Sequence, residues 1–190
     1  QTGPQSNPPF GQHAADAIHS FLFGPPDKSL FGCYHAPNST IARQTAMVLC
    51  YPMGQEYIKA HITYVQLANQ LSAVGFPVLR FDYYGTGDSA GDCSESSIHQ
   101  CKLDIVLALE EVKKRSGKTK ICLAGLRIGA TLSAMIAKER NDIDSIILWE
   151  PVVSCISRCL NFPMLTIVFQ PSMKFWGSLE MIFYGPNYPN

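Results

Sequence analysis

The stretch Leu123-Ala124-Gly125-Leu126-Arg127-Ile128-Gly129-Ala130 has the skeleton of a nucleophile elbow, Gly-x-Ser-x-Gly, the sharp strand-to-helix bend that presents an attacking hydroxyl. Gly125 and Gly129 suit such a bend because a Cβ at either position would strike the neighbouring strand or helix. The central residue, however, is Arg127. A guanidinium stays protonated at ordinary pH and is no nucleophile. Gly87-Asp88-Ser89-Ala90-Gly91 matches the same pattern letter for letter, but it lies in a loop several residues beyond its strand. There the glycines shape the loop, and Asp88 and Ser89 are expected to bond to nearby backbone. The less favoured alternative makes Ser89 a nucleophile with His35, His61 or His99 as its base.

Arg127 needs an anion, since the start of a helix repels a cation. Glu150 is its expected partner and Asp82 a second choice, both at the C-terminal ends of strands. The functional alternative lets Arg127, with the backbone amides of Ile128 and of Met53 or Gly54, bind a carboxylate or phosphate of a small ligand. Cys93, His99 and Cys101 are too irregularly spaced for zinc, and no cofactor or metal is implied. His13 and His19, like the other histidines, read as surface or packing residues.

These groups need a scaffold, and the hydrophobic period supplies one. Apolar runs at Ala46–Tyr51, Phe76–Phe81, Lys120–Ala124 and Asp144–Trp149 alternate with helical stretches. One helical stripe runs through Tyr64, Leu67, Ala68, Leu71 and Val74, closed by Gly75; a second runs through Ile98, Cys101, Ile105, Ala108, Leu109 and Val112. Near-continuous apolar strands separated by helices predict an α/β fold with a mostly parallel sheet covered on both faces. Before it, two short runs, Phe21–Phe23 and Leu30–Tyr34, flank the breaker Gly24-Pro25-Pro26-Asp27. Residues 1–20 are expected to be a mobile lead-in, 21–153 the core, and 154–190 an irregular apolar tail in which Phe162–Phe169 resembles one more strand.

With 190 residues, folding buries roughly 70% of the extended chain's surface, enough for a real core. Fifteen Lys+Arg balance fifteen Asp+Glu, so nothing favours nucleic acid or an anionic membrane as partner. No apolar stretch is long enough to span a bilayer. Seven cysteines, several inside apolar runs, suggest a reducing compartment, and the expectation is cytoplasmic.

Four stretches together resemble α/β-hydrolases, most of all the serine aminopeptidase-like branch that includes exosortase-associated hydrolases. They are Leu30 to Pro37, the crossing Tyr51 to Tyr57, the loop Asp82 to Gly91, and Gly125 to Gly129. The resemblance implies an eight-stranded, mostly parallel sheet, a Ser-acid-His triad, and hydrolysis of ester, amide or related acyl bonds. By position Arg127 takes the nucleophile slot, and the amides of Ile128 and of Met53 or Gly54 take the oxyanion-hole slots. The family's acid and histidine follow later strands, yet Ser154–Asn190 contains no Asp and no His, only Glu180. The expectation is therefore a hydrolase-like fold lacking its last strands and weak or inactive as a serine hydrolase. Its ligand would be a small acyl or anionic molecule. The competing class is a non-catalytic binding or scaffold module, with self-association through an exposed sheet edge.

Overall fold

The computed structural model describes residues 18–152 and the backbone of 165–169 and 182–184. Most of the expected lead-in and of the expected tail lie outside these residues. Two strands, β1 (Ile18–Phe23) and β2 (Leu30–His35), form an antiparallel hairpin across Gly24-Pro25 and a short 3-10 turn at Pro26–Lys28. Strand β1 thus takes in Ile18, His19 and Ser20 ahead of the apolar run Phe21–Phe23, and the polar His19 and Ser20 pair in register with Tyr34 and Cys33.

The alternating pattern then follows: β3 (Thr45–Cys50), α1 (Gln55–Ala73), β4 (Val78–Phe81), α2 (Ile98–Ser116), β5 (Lys120–Leu126), α3 (Ile128–Glu139) and β6 (Ile143–Trp149). Every residue of β4 and five of the six in β3 are buried, as a parallel strand covered on both faces requires. Ala46, Val48, Leu49, Leu79, Ile121, Leu123, Ile146 and Leu148 are fully out of water; each large aliphatic contributes about 1.5–3 kcal/mol.

The sheet order is β1-β2-β4-β3-β5-β6-β7-β8, with β7 at Leu165–Phe169 parallel to β6 and β8 at Ile182–Tyr184 antiparallel to β7. The expectation of absent last strands is corrected: β7 falls inside the Phe162–Phe169 run, and β8 is too short at three residues to leave a readable period.

Helices α2 and α3 touch each other and share one face of the sheet. On β4, Phe81 points to that side, edge-on to Tyr83, while Arg80 points to the α1 side and reaches Tyr51. The buried line of α1 is Ala60, Tyr64, Ala68 and Ser72, so the expected stripe is rotated; Leu67 and Leu71 are half-buried and Val74 is exposed. The helix ends there, and Gly75, at φ +96°, donates its amide to Ser72 O at 3.0 Å as it turns the chain. In α2 the stripe holds from Cys101 to Val112, but Ile98 is exposed at the first turn, whose cap is Ser97 accepting from Gln100 N at 3.1 Å.

Candidate active site

Strands β4, β3, β5 and β6 are neighbours and run parallel, so their C-terminal ends bring four crossings to one edge. The start of α3 presses against the end of β3. A Cβ on Gly129 would lie 2.3 Å from Cys50 O and 2.5 Å from Tyr51 O; one on Gly125 would lie 2.4 Å from Gly129 C and O. Both glycines are required by close approach, as the sequence implied. Gly54 opens α1 at φ 63° and Ile128 opens α3, which sets the two helix starts with Met53 beside each other on adjacent strands.

Arg127 stands at the bend between β5 and α3 with φ 55° and ψ −117°, a region costly for any residue with a Cβ. The surroundings over-determine it. Its amide donates to Trp149 O at 2.9 Å, and its carbonyl accepts from Thr131 N at 3.1 Å and Thr131 Oγ1 at 3.3 Å. Its side chain donates from Nη1 to Glu150 Oε1 at 3.0 Å, the pairing predicted from strand order. Nε donates to Glu56 Oε1 at 3.2 Å, a contact the sequence reading did not name. A carboxylate in the first turn of the adjacent helix was the available signal, since that end of a helix favours negative charge. Glu150 and Arg127 are the two non-glycine residues of positive φ among the described residues, and they are bonded to each other.

Asp82 is not an Arg127 partner. It is 6% exposed and accepts from Tyr57 Oη at 2.9 Å and from Asp88 N at 3.2 Å. Burial raises its pKa, while those two hydrogen bonds pull it back. Strand β4 lies two positions from β5, too far for the guanidinium when Glu150 sits on the adjoining strand.

Ser89 is committed to structure. Its hydroxyl donates to Asp82 O at 2.6 Å and accepts from Phe31 N at 2.8 Å, stitching the glycine-rich loop to β2. Among the described residues no hydrogen bond joins a histidine to Ser89 or Arg127. His35 is buried against Asn69 and Arg80, and His61 stacks on Tyr51 at 6.1 Å between ring centroids. Ser89→Ala is expected to destabilise the chain by about 1–3 kcal/mol, because it strands the Phe31 amide. Urea unfolding measures it, and an unchanged midpoint would show the loop is held otherwise.

Strand order, the tight bend after β5 and the helix arrangement define the class: this is an α/β-hydrolase fold. An α/β serine hydrolase homologue from Coxiella burnetii superposes with a TM-score of 0.67 at 20% identity, over 79% of this chain and 72% of that one. A family model described as Serine aminopeptidase, S33 matches residues 56–180. The chain belongs to that family of α/β hydrolases. Protein ABHD12B of Homo sapiens is 33% identical over 124 residues, 63% of this chain and 33% of that protein. Lysophosphatidylserine lipase ABHD12 of Xenopus tropicalis is 29% identical over 143 residues, 73% of this chain and 35% of that protein. The chain thus spans about a third of the length of these curated relatives. Among the described residues no helix is long and apolar enough to cross a membrane.

Proposed function

We propose that this chain is a hydrolase-family module whose elbow has lost its chemistry: Arg127 occupies the nucleophile position, and the crevice holds or organises a partner molecule instead of cleaving it. One observation carries the proposal. The residue at the strained bend after β5 is a permanent cation clamped between Glu56 and Glu150. Such a group neither attacks a carbonyl nor gives up a proton. An anion entering at Arg127 would have to displace Glu56 or Glu150, so the anion-binding variant through Ile128, Met53 and Gly54 requires one of those pairs to open.

The competing reading is hydrolysis of a lipid-like acyl ester, suggested by the ABHD12 relatives, whose names describe a lysophosphatidylserine lipase. A panel of short-chain aryl esters, an acyl thioester and lysophosphatidylserine, tested on wild type, Arg127→Ser and Ser89→Ala, separates the two. All three proteins are expected at the buffer rate. Arg127→Ser restores a hydroxyl but no base beside it, and a serine without its base loses several orders of magnitude in rate. Wild-type turnover abolished by Ser89→Ala or by Arg127→Ser would overturn the non-hydrolytic proposal.

A further inference from the structure

A second cation lies away from the elbow, beneath α1. Arg80 is 8% exposed on the central strand β4. Its Nε donates to His35 Nε2 at 3.0 Å and its Nη1 to Tyr51 Oη at 2.9 Å. His35 Nδ1 in turn faces Asn69 Oδ1 at 3.0 Å, which assigns the histidine proton to Nδ1 and leaves Nε2 as the acceptor. Both partners of the guanidinium are therefore neutral.

None of the ion pairs among the described residues includes Arg80. This is unusual, because a buried charge costs several kcal/mol unless an opposite charge answers it. Among the described residues, two of the five guanidinium N–H groups are used and Nη2 has no acceptor. The one fully buried side-chain polar atom without a partner among the described residues is Tyr83 Oη, and not Nη2. A fixed cation, held by two neutral acceptors, thus keeps guanidinium donors unused among the described residues.

We propose that Arg80 is the anchor of a small-oxyanion site between β2, β4 and α1, taking a carboxylate or an inorganic phosphate on its free N–H edge. A guanidinium presents parallel donors that match two oxygens of such a group. This site is separate from Arg127, whose charge Glu56 and Glu150 already meet. It stands whether or not the elbow is catalytic.

Thermal unfolding of the whole chain, titrated with acetate and separately with phosphate at fixed ionic strength near neutral pH, tests it. Wild type and Arg127→Ala should each show a saturable rise of roughly 3–5 °C at ten times the dissociation constant. Arg80→Met should show none, and Arg80→Lys, which keeps the charge without the fork, a weaker one. A response to acetate alone or to phosphate alone identifies the source of the oxyanion. A flat wild-type titration, an equal response in Arg80→Met, or a response lost only in Arg127→Ala would overturn the site. Should Arg80→Met not fold, the Arg80 side-chain 15N resonances of wild type supply the readout, shifting saturably with the anion or, against the proposal, not at all.

Discussion

Gly129→Ala is expected to cost more than about 3 kcal/mol and to leave much of the chain unfolded or insoluble, given total stabilities of about 5–15 kcal/mol. The added methyl would meet Cys50 O at 2.3 Å and Tyr51 O at 2.5 Å. Both are main-chain atoms at the end of β3 and have no flexible side chain to swing aside. The start of α3 would have to lift from the sheet, drawing with it Ala130, Leu132 and Ala134, all fully buried. Overpacking of that kind is relieved only by backbone movement. Gly117→Ala is the control. Unlike Gly129 it is left-handed, at φ +65°, but nothing lies within 4 Å of its added Cβ, so its penalty is the conformational one of about 1 kcal/mol. Urea unfolding of both variants decides the matter: equal losses would mean that α3 and β3 do not approach as closely as described.

That closeness was legible in the chain because glycine at both ends of a five-residue bend has few other physical meanings. So were the central strands, whose apolar runs are uninterrupted, and the Arg127–Glu150 pair, which follows from adjacency of β5 and β6. Other features were hidden for identifiable reasons. The α1 stripe was misphased because Leu67 and Leu71 look like core while Ala60 and Ser72 do the packing. Small residues fit where a helix sits close to a sheet, and hydropathy underrates them. Glu56 resembles any first-turn carboxylate until Arg127 is brought across from the β5 crossing. Arg80 sits within the apolar run Val78–Phe81, where a single charge reads as the strand's edge and not as its buried middle. Its partners His35 and Tyr51, and the Asn69 that orients His35, lie far apart in the chain, so no local spacing joins them.

The same crossing explains why a bend that strains its central residue persists with an arginine in it. Positive φ at Arg127 and Glu150 costs about 1–3 kcal/mol at each. Two half-exposed ion pairs return only a fraction of that, since water screens them. What holds the bend is the packing of Gly125, Gly129 and the Cys50–Tyr51 backbone around it, with the Arg127 and Thr131 main-chain bonds. The geometry is thus a property of the fold, independent of the side chain mounted on it.

Stability is expected to fall by about 2 kcal/mol between pH 6.5 and about pH 5, and His35 is the group responsible. Its imidazole is 1% exposed, with Nε2 filled by the Arg80 donor. Burial first, and then the Arg80 charge, lower its pKa from 6.5 to about 4, against a smaller upward pull from Asn69. As pH drops through 6.5 the unfolded chain takes up a proton that the native chain refuses, so the unfolded side gains about 1.36 kcal/mol per pH unit until the native imidazole also protonates near 4. The difference between wild type and His35→Gln isolates this effect, because Asp82 and Asp104, raised by burial and acting in the opposite sense, are present in both. Asp142, held low by Arg140 and Lys113, adds its loss at lower pH still. His35→Gln retains an amide donor and a carbonyl acceptor but no titrating group, and its stability should lack the loss seen in wild type across the window. Urea midpoints at a series of pH values give the slope for both proteins. A wild-type slope of zero, or the same slope in His35→Gln, would mean that His35 does not carry an unprotonated ring against Arg80; if the variant does not fold, the wild-type His35 ring resonances report the same titration directly.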